Sequence, residues 1–125
     1  MKRDMDLIRE LLLEIEAGKT NFAICPVTEQ GRPEWEEAWR LGEHLHLLEQ
    51  AKMIEASTNA AAGHVIVRGI TWQGHDLLDS IRHPKIWEKT KKGVEGAGAF
   101  TVDLLKELAK GFAKKQMEEY TGLKL

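Results

Sequence analysis

Apolar residues at Leu7, Ile8, Leu11, Leu12 and Ile15 recur at three- and four-residue spacing, which predicts an amphipathic helix over 4–17. Asp4 or Asp6 suits its first turn, where a carboxylate meets free backbone N–H groups, and Gly18 reads as its C-cap. Phe22 to Cys25 reads as a short strand stopped by Pro26, and 28–33 has the composition of a turn that delivers Pro33 to the first position of a new helix. That helix is predicted over 34–52, either continuous or broken near Gly42. Ala38, Leu41, Leu45 and Leu48 form its apolar stripe, and Glu36, Arg40, Glu43, Leu47 and Gln50 lie opposite.

The pattern then changes. Met53 to Ser57 and the β-branched run Val65-Ile66-Val67 read as the two strands of a hairpin, with 57–63 as a small, polar tip. Gly69 ends the return strand, Thr71 caps a third helix, and Gly74 allows that helix to cross the hairpin closely. Trp72, Leu77, Leu78 and Ile81 are expected to face inward. Pro84 opens a short helix ending near Gly93, and the glycines of 93–98 read as a flexible joint. Thr101 caps a last helix to about Tyr120. Its apolar positions are Val102, Leu105, Leu108, Ala109, Phe112 and Met117, and Lys106, Lys110, Lys114 and Lys115 are on its outer face.

These elements amount to an α+β chain, mostly α. The expected architecture is a winged helix-turn-helix with a two-stranded wing over 1–83, followed by a C-terminal helical extension over 84–125. A full helix-turn-helix has a separate short helix before the recognition helix. Here that segment is compressed into 33–39.

Two short patterns resemble bacterial winged-helix regulators. His44-Leu45-His46-Leu47-Leu48-Glu49-Gln50-Ala51-Lys52-Met53-Ile54 is similar to their recognition-helix end, which runs His-Leu-x-x-Leu-x-x-Ala-Gly-Leu-Ile. Ile70-Thr71-x-x-Gly74 is similar to the Leu-Thr-x-x-Gly that follows the wing. A wider resemblance takes in the opening Met1 to Arg9, the run Gly69 to Arg82 and the run Ile86 to Lys91. These are similar to a family of small bacterial and prophage proteins, uncharacterised and expected to be winged-helix. The resemblance implies fold and origin and no activity. The chain departs from that family's pattern at Lys52, where glycine is usual, and at His46, where a basic residue is usual.

Composition adds bounds. The chain has 125 residues, enough for one domain with an appendage, and 30% charged residues. No apolar run approaches the ~20 residues of a membrane span and no signal peptide is evident. With a single cysteine, Cys25, no internal disulfide forms, and a reducing cytoplasm is the expected setting. Cys25 reads as a small buried side chain.

Net charge is −2, but 1–63 holds 7 Lys+Arg against 12 Asp+Glu while 64–125 holds 11 against 8. No phosphate loop, nucleophile elbow, catalytic carboxylate pair or dinucleotide fingerprint is present, so no enzyme, cofactor or metal is expected. The five histidines lack structural-zinc spacing. His44 and His46 point about 200° apart on a helix, and His44 is expected against the core with its ring hydrogen-bonded.

The resulting expectation is a DNA-binding winged-helix protein, a transcriptional regulator of bacterial or prophage origin. Arg40, His46 and Gln50 are the candidate contacts to double-stranded DNA, and Arg68 the candidate backbone contact. Leu105, Leu108, Phe112 and Met117 are candidates for pairing into a homodimer. The alternative is a protein–protein interaction module on the same scaffold, suggested by the acidic front half and the neutral tip. Most of Trp35, Trp39, Trp72 and Trp87 are expected in the core, with one or two left for an interface.

Overall fold

The computed structural model describes residues 2–24, 33–59, 63–97 and 101–123, with the side chains of 33–35, 59 and 97 outside the description. Cys25, the hairpin tip at 60–62 and residue 98, the last of the expected glycine joint, therefore lie outside it. The chain is α+β and mostly helical. In order it runs α1 (Met5–Glu16), β1 (Asn21–Ala23), α2 (Pro33–Gln50), β2 (Ile54–Asn59), β3 (His64–Ile70), α3 (Trp72–Ile81), α4 (Pro84–Ala97) and α5 (Val102–Thr121). Among the described residues no helix is long and apolar enough to cross a membrane. Two compact units are distinguished, Met1–His75 and Asp76–Leu125.

In the first unit the strands form one antiparallel sheet in the order β1-β3-β2. The expected hairpin is present as β2 and β3, but it is not alone. Asn21, Phe22 and Ala23 pair with Ile66, Val65 and His64, so β1 adds a third strand to the free edge of β3. Strand alternation puts Val65 and Val67 in the core and leaves Ile66 and Arg68 outside. Phe22, Ile54 and Ala56 join the buried side. Five residues of α1, Met5, Ile8, Leu11, Leu12 and Ile15, close the core, as their helical spacing predicts, together with Leu45 and Leu48 of α2. Gly42 does not break α2. A Cβ there would stand 3.3 Å from the side chain of Ile24, so the glycine admits the residue that follows β1.

The turn from α2 into β2 has two intersecting devices. Lys52 has φ of 61°, the left-handed conformation. Its N–H donates to the Glu49 carbonyl at 2.9 Å and the Met53 N–H donates to the Leu48 carbonyl at 2.8 Å. This is the Schellman ending, normally built on glycine because a Cβ is strained there. Thr71 then fastens the same turn to α3. Its N–H donates to the Met53 carbonyl at 2.9 Å, and its hydroxyl donates to the Lys52 carbonyl at 2.6 Å. Its Oγ1 also accepts from the Gly74 N–H at 3.1 Å. Lys52→Gly is therefore expected to stabilise the protein by on the order of 0.5–1 kcal/mol, the relief of left-handed strain less the added freedom of the unfolded glycine. A rise in the urea midpoint at unchanged slope would register it, and a fall would show that the Lys52 side chain contributes more than its backbone strain costs.

In the second unit α4 packs on α5. Of that unit's residues, Leu77, Leu78, Ile81, Trp87, Val94, Leu105 and Ala109 are buried, and the buried Thr90 hydroxyl donates to the Ile86 carbonyl at 2.7 Å. Two expectations are corrected. Helix α4 does not end at Gly93 but runs through it to Ala97. Gly93 is a contact glycine, since a Cβ would stand 3.1 Å from Leu108 Cδ1. Trp72 does not face inward and is 80% exposed. It is the first residue of α3, and Leu77 lies about 140° around the helix from it, so it is off the buried stripe. Of the tryptophans whose side chains are described, only Trp87 is in the core, with Trp39 45% exposed.

Candidate interaction surfaces

Helix α2 presents two faces to its surroundings, and the sequence reading combined them. On the inner one, His44 is fully buried. The Asp4 N–H donates to its Nε2 at 2.9 Å, so Nε2 is the unprotonated nitrogen. Nδ1 lies 2.8 Å from the Arg40 carbonyl, so Nδ1 carries the hydrogen and donates. The ring thus bridges the α2 backbone to the start of α1. Asp4 is also the N-cap of α1, its Oδ1 accepting from the Asp6 and Leu7 N–H groups at 2.9 and 3.2 Å. Its other carboxylate oxygen, Oδ2, forms an ion pair with the Arg40 guanidinium. His44 and Arg40, one turn apart, therefore hold the N-terminus of α1 between them. The hydrogen-bonded core histidine expected from the sequence is present.

On the outer face, Trp39, Glu43, His46 and Gln50 follow at intervals of four, three and four residues and share one side of the helix. Trp39, His46 and Gln50 are exposed and Glu43 is half-buried. His46 and Gln50 lie about 40° apart around the axis, whereas Arg40 is about 120° from His46. The three candidate DNA contacts of α2 are not one cluster. Over Pro33–Gln50 the helix has five glutamates and one arginine, and that arginine is the one paired with Asp4.

Arg68 occupies an irregularity in the hairpin. Glu55 pairs with Gly69 and Ala56 with Val67, so Arg68 is the extra residue of a bulge on β3. Its side chain is exposed and donates to Ser57 Oγ at 2.6 Å. Around it the outer sheet surface is mixed, with the exposed Ile66 and Ser57 and with His64 Nδ1 2.9 Å from Asn21 Oδ1.

The pairing candidates on α5 also divide. Leu105 is wholly buried, Leu108 and Phe112 are half-buried, and only Met117 is exposed, at 53%. Tyr120 and Leu123, which the sequence reading did not single out, are more exposed still. The three-residue spacing of Tyr120 from Met117 was a legible signal, whereas Leu123 lies past the end of α5. Among the described residues no three His, Cys, Asp or Glu side chains are gathered as a metal site requires.

Residues 2–100 match the family model described as Hypothetical protein (DUF2513). The chain belongs to that family. Within DUF2513 terms, the matched span takes in every element from α1 to α4, and α5 follows it. The chain is also similar to a protein of Haemophilus influenzae named "Uncharacterized protein". The two are 32% identical over 113 residues, which covers 87% of this DUF2513 chain and 92% of the relative. No solved structure matches.

Proposed function

We propose that the first unit is a protein-interaction module on a winged-helix scaffold, and that the outer face of α2 meets a basic, partly apolar protein surface. The scaffold reading is supported by the order helix, strand, helix, hairpin, with the first strand adding to the return strand of the hairpin. A helix-turn-helix has one further helix before the recognition helix; the stretch 33–39 into which the sequence compresses it is continuous with α2.

The observation that carries the protein-binding reading is the ion pair between Arg40 and Asp4. It engages the sole cation of α2 at the end of another helix, while the glutamates of α2 remain to oppose phosphate. Such a helix has little to offer a duplex, whose non-specific affinity is mostly cation–phosphate contact. Trp39, half-exposed on the same face, is of the residue type that anchors protein interfaces.

The full chain is expected to leave a labelled duplex unretarded even at about 50 mM salt, where phosphate contacts are strongest. A photo-crosslinking amino acid at position 50 is expected to capture a partner in cells, and Trp39→Ala to abolish that capture. Retardation of the duplex that is lost on Arg40→Ala would overturn the proposal in favour of DNA.

A further inference from the structure

A different surface lies in the second unit. Lys85, Lys89 and Lys115 stand around a cleft of about 390 Å³ between α4 and α5 that is floored by Ile86 and Phe112. An adjoining cleft of about 370 Å³ shares Ile86 and Gln116 with it and continues past Met117 and Tyr120. Together they make a groove along the helix pair with an apolar floor and a cationic flank.

The three lysines are exposed, and among the described residues none of their ammonium groups is in an ion pair. Glu119 is the single acidic residue lining the groove. Lys91, on the same helix, is instead neutralised by Glu88 at 3.2 Å and lies 5.7 Å from the Trp87 ring centre. Tyr120, at the far end, is 92% exposed.

We infer that this groove docks an acidic amphipathic helix of a partner protein. Charge complementarity gives the sign. Three unpaired ammonium groups on one flank call for carboxylates, and leaving them unpaired beside a partner's cations would be repulsive. The floor gives the rest of the chemistry. Ile86, Phe112 and Met117 reward only a ligand that brings apolar side chains, as a helix does when it lays its i, i+3, i+4 and i+7 positions into a groove. A nucleic-acid backbone satisfies the lysines but leaves that floor uncovered. This groove belongs to the second unit, so its occupant is independent of whatever α2 meets.

The test uses the full chain and a fluorescent synthetic peptide of about 18 residues, with leucine at the i, i+3, i+4 and i+7 positions and glutamate at most others. Anisotropy titration is expected to show saturable binding. Lys85→Glu, Lys89→Glu and Lys115→Glu together are expected to weaken it by about tenfold or more. Met117→Gln with Tyr120→Gln is expected to weaken it several-fold, all these positions being exposed and their substitution compatible with an unchanged circular dichroism spectrum.

Equal binding of a scrambled peptide or of polyglutamate would overturn the inference, because the apolar floor would then select nothing. Displacement of the peptide by duplex DNA at a lower concentration than by unlabelled peptide would overturn it in favour of nucleic acid. A doubled mass in solution that the peptide reduces to the monomer would overturn it in favour of a second copy of this chain.

Discussion

Gly74→Ala will destabilise the protein by about 3 kcal/mol or more, at the upper end of what overpacking costs. A Cβ built on Gly74 stands 2.1 Å from the Met53 carbonyl oxygen, 2.6 Å from Ile70 Cγ2 and 3.0 Å from the Met53 carbonyl carbon. The nearest obstacle is main chain, so no rotamer change relieves it. The same Met53 oxygen accepts the Thr71 N–H, and the neighbouring Lys52 carbonyl accepts the Thr71 hydroxyl. Moving the turn aside to admit a methyl group would break both bonds and disturb the left-handed ending of α2. The loss is thus one methyl's clash together with a clamp that joins three elements. Urea unfolding followed by circular dichroism measures it, and a change below about 1 kcal/mol would show that the turn yields without losing its hydrogen bonds.

His44→Leu is expected to cost about 2–3 kcal/mol, mostly through a hydrogen bond rather than through packing. Leucine is close to histidine in bulk, so little cavity is made. What disappears is the acceptor for the Asp4 N–H, in a part-buried place at the first turn of α1. The Arg40 carbonyl loses the Nδ1–H contact as well. Arg40→Ala supplies the contrast. It removes an ion pair whose side chains are 48% and 31% exposed, and such pairs are worth below about 1 kcal/mol. Measured side by side in urea, the histidine variant should lose several times more than the arginine variant. The reverse order would place the junction of α1 and α2 on the ion pair.

The same junction illustrates what the sequence exposes. The apolar rhythm of α1, the cap at Asp4 and the caps at Thr71 and Thr101 are local facts, written within four residues of where they act, and each is present. The burial of His44 was also legible, because it falls beside Leu41, Leu45 and Leu48 on the core side of the helix. Its partner was not. Asp4 is 40 residues away in sequence, and no periodicity connects them. Arg40 misled for the same reason. On a helical projection it is an outward cation, and only the approach of α1 turns it into a capping residue's partner. Gly93 misled in another way. Glycine signals a helix end when nothing touches it, but here Leu108 of a later helix stands against it, and tertiary contact overrides local propensity. The groove on α4 and α5 was half visible. The lysines along α5 show in the sequence, but Lys115 joins Lys85 and Lys89 only through packing that the sequence does not display.

The sheet has a consequence for how the chain is made. β3 is the middle strand and the last of the three to leave the ribosome. Until residue 70 has emerged, β1 and β2 have no hydrogen-bonding neighbour, and Phe22, Ile54 and Ala56 have no completed sheet to cover them. Synthesis at ~5–20 residues per second leaves that half-finished state standing for a matter of seconds. β1 is only three residues long, too short to recruit a foreign strand during the wait. The brevity of the earliest strand thus limits strand recruitment during synthesis, and because β1 remains an edge of the finished sheet the same brevity keeps that edge short afterwards.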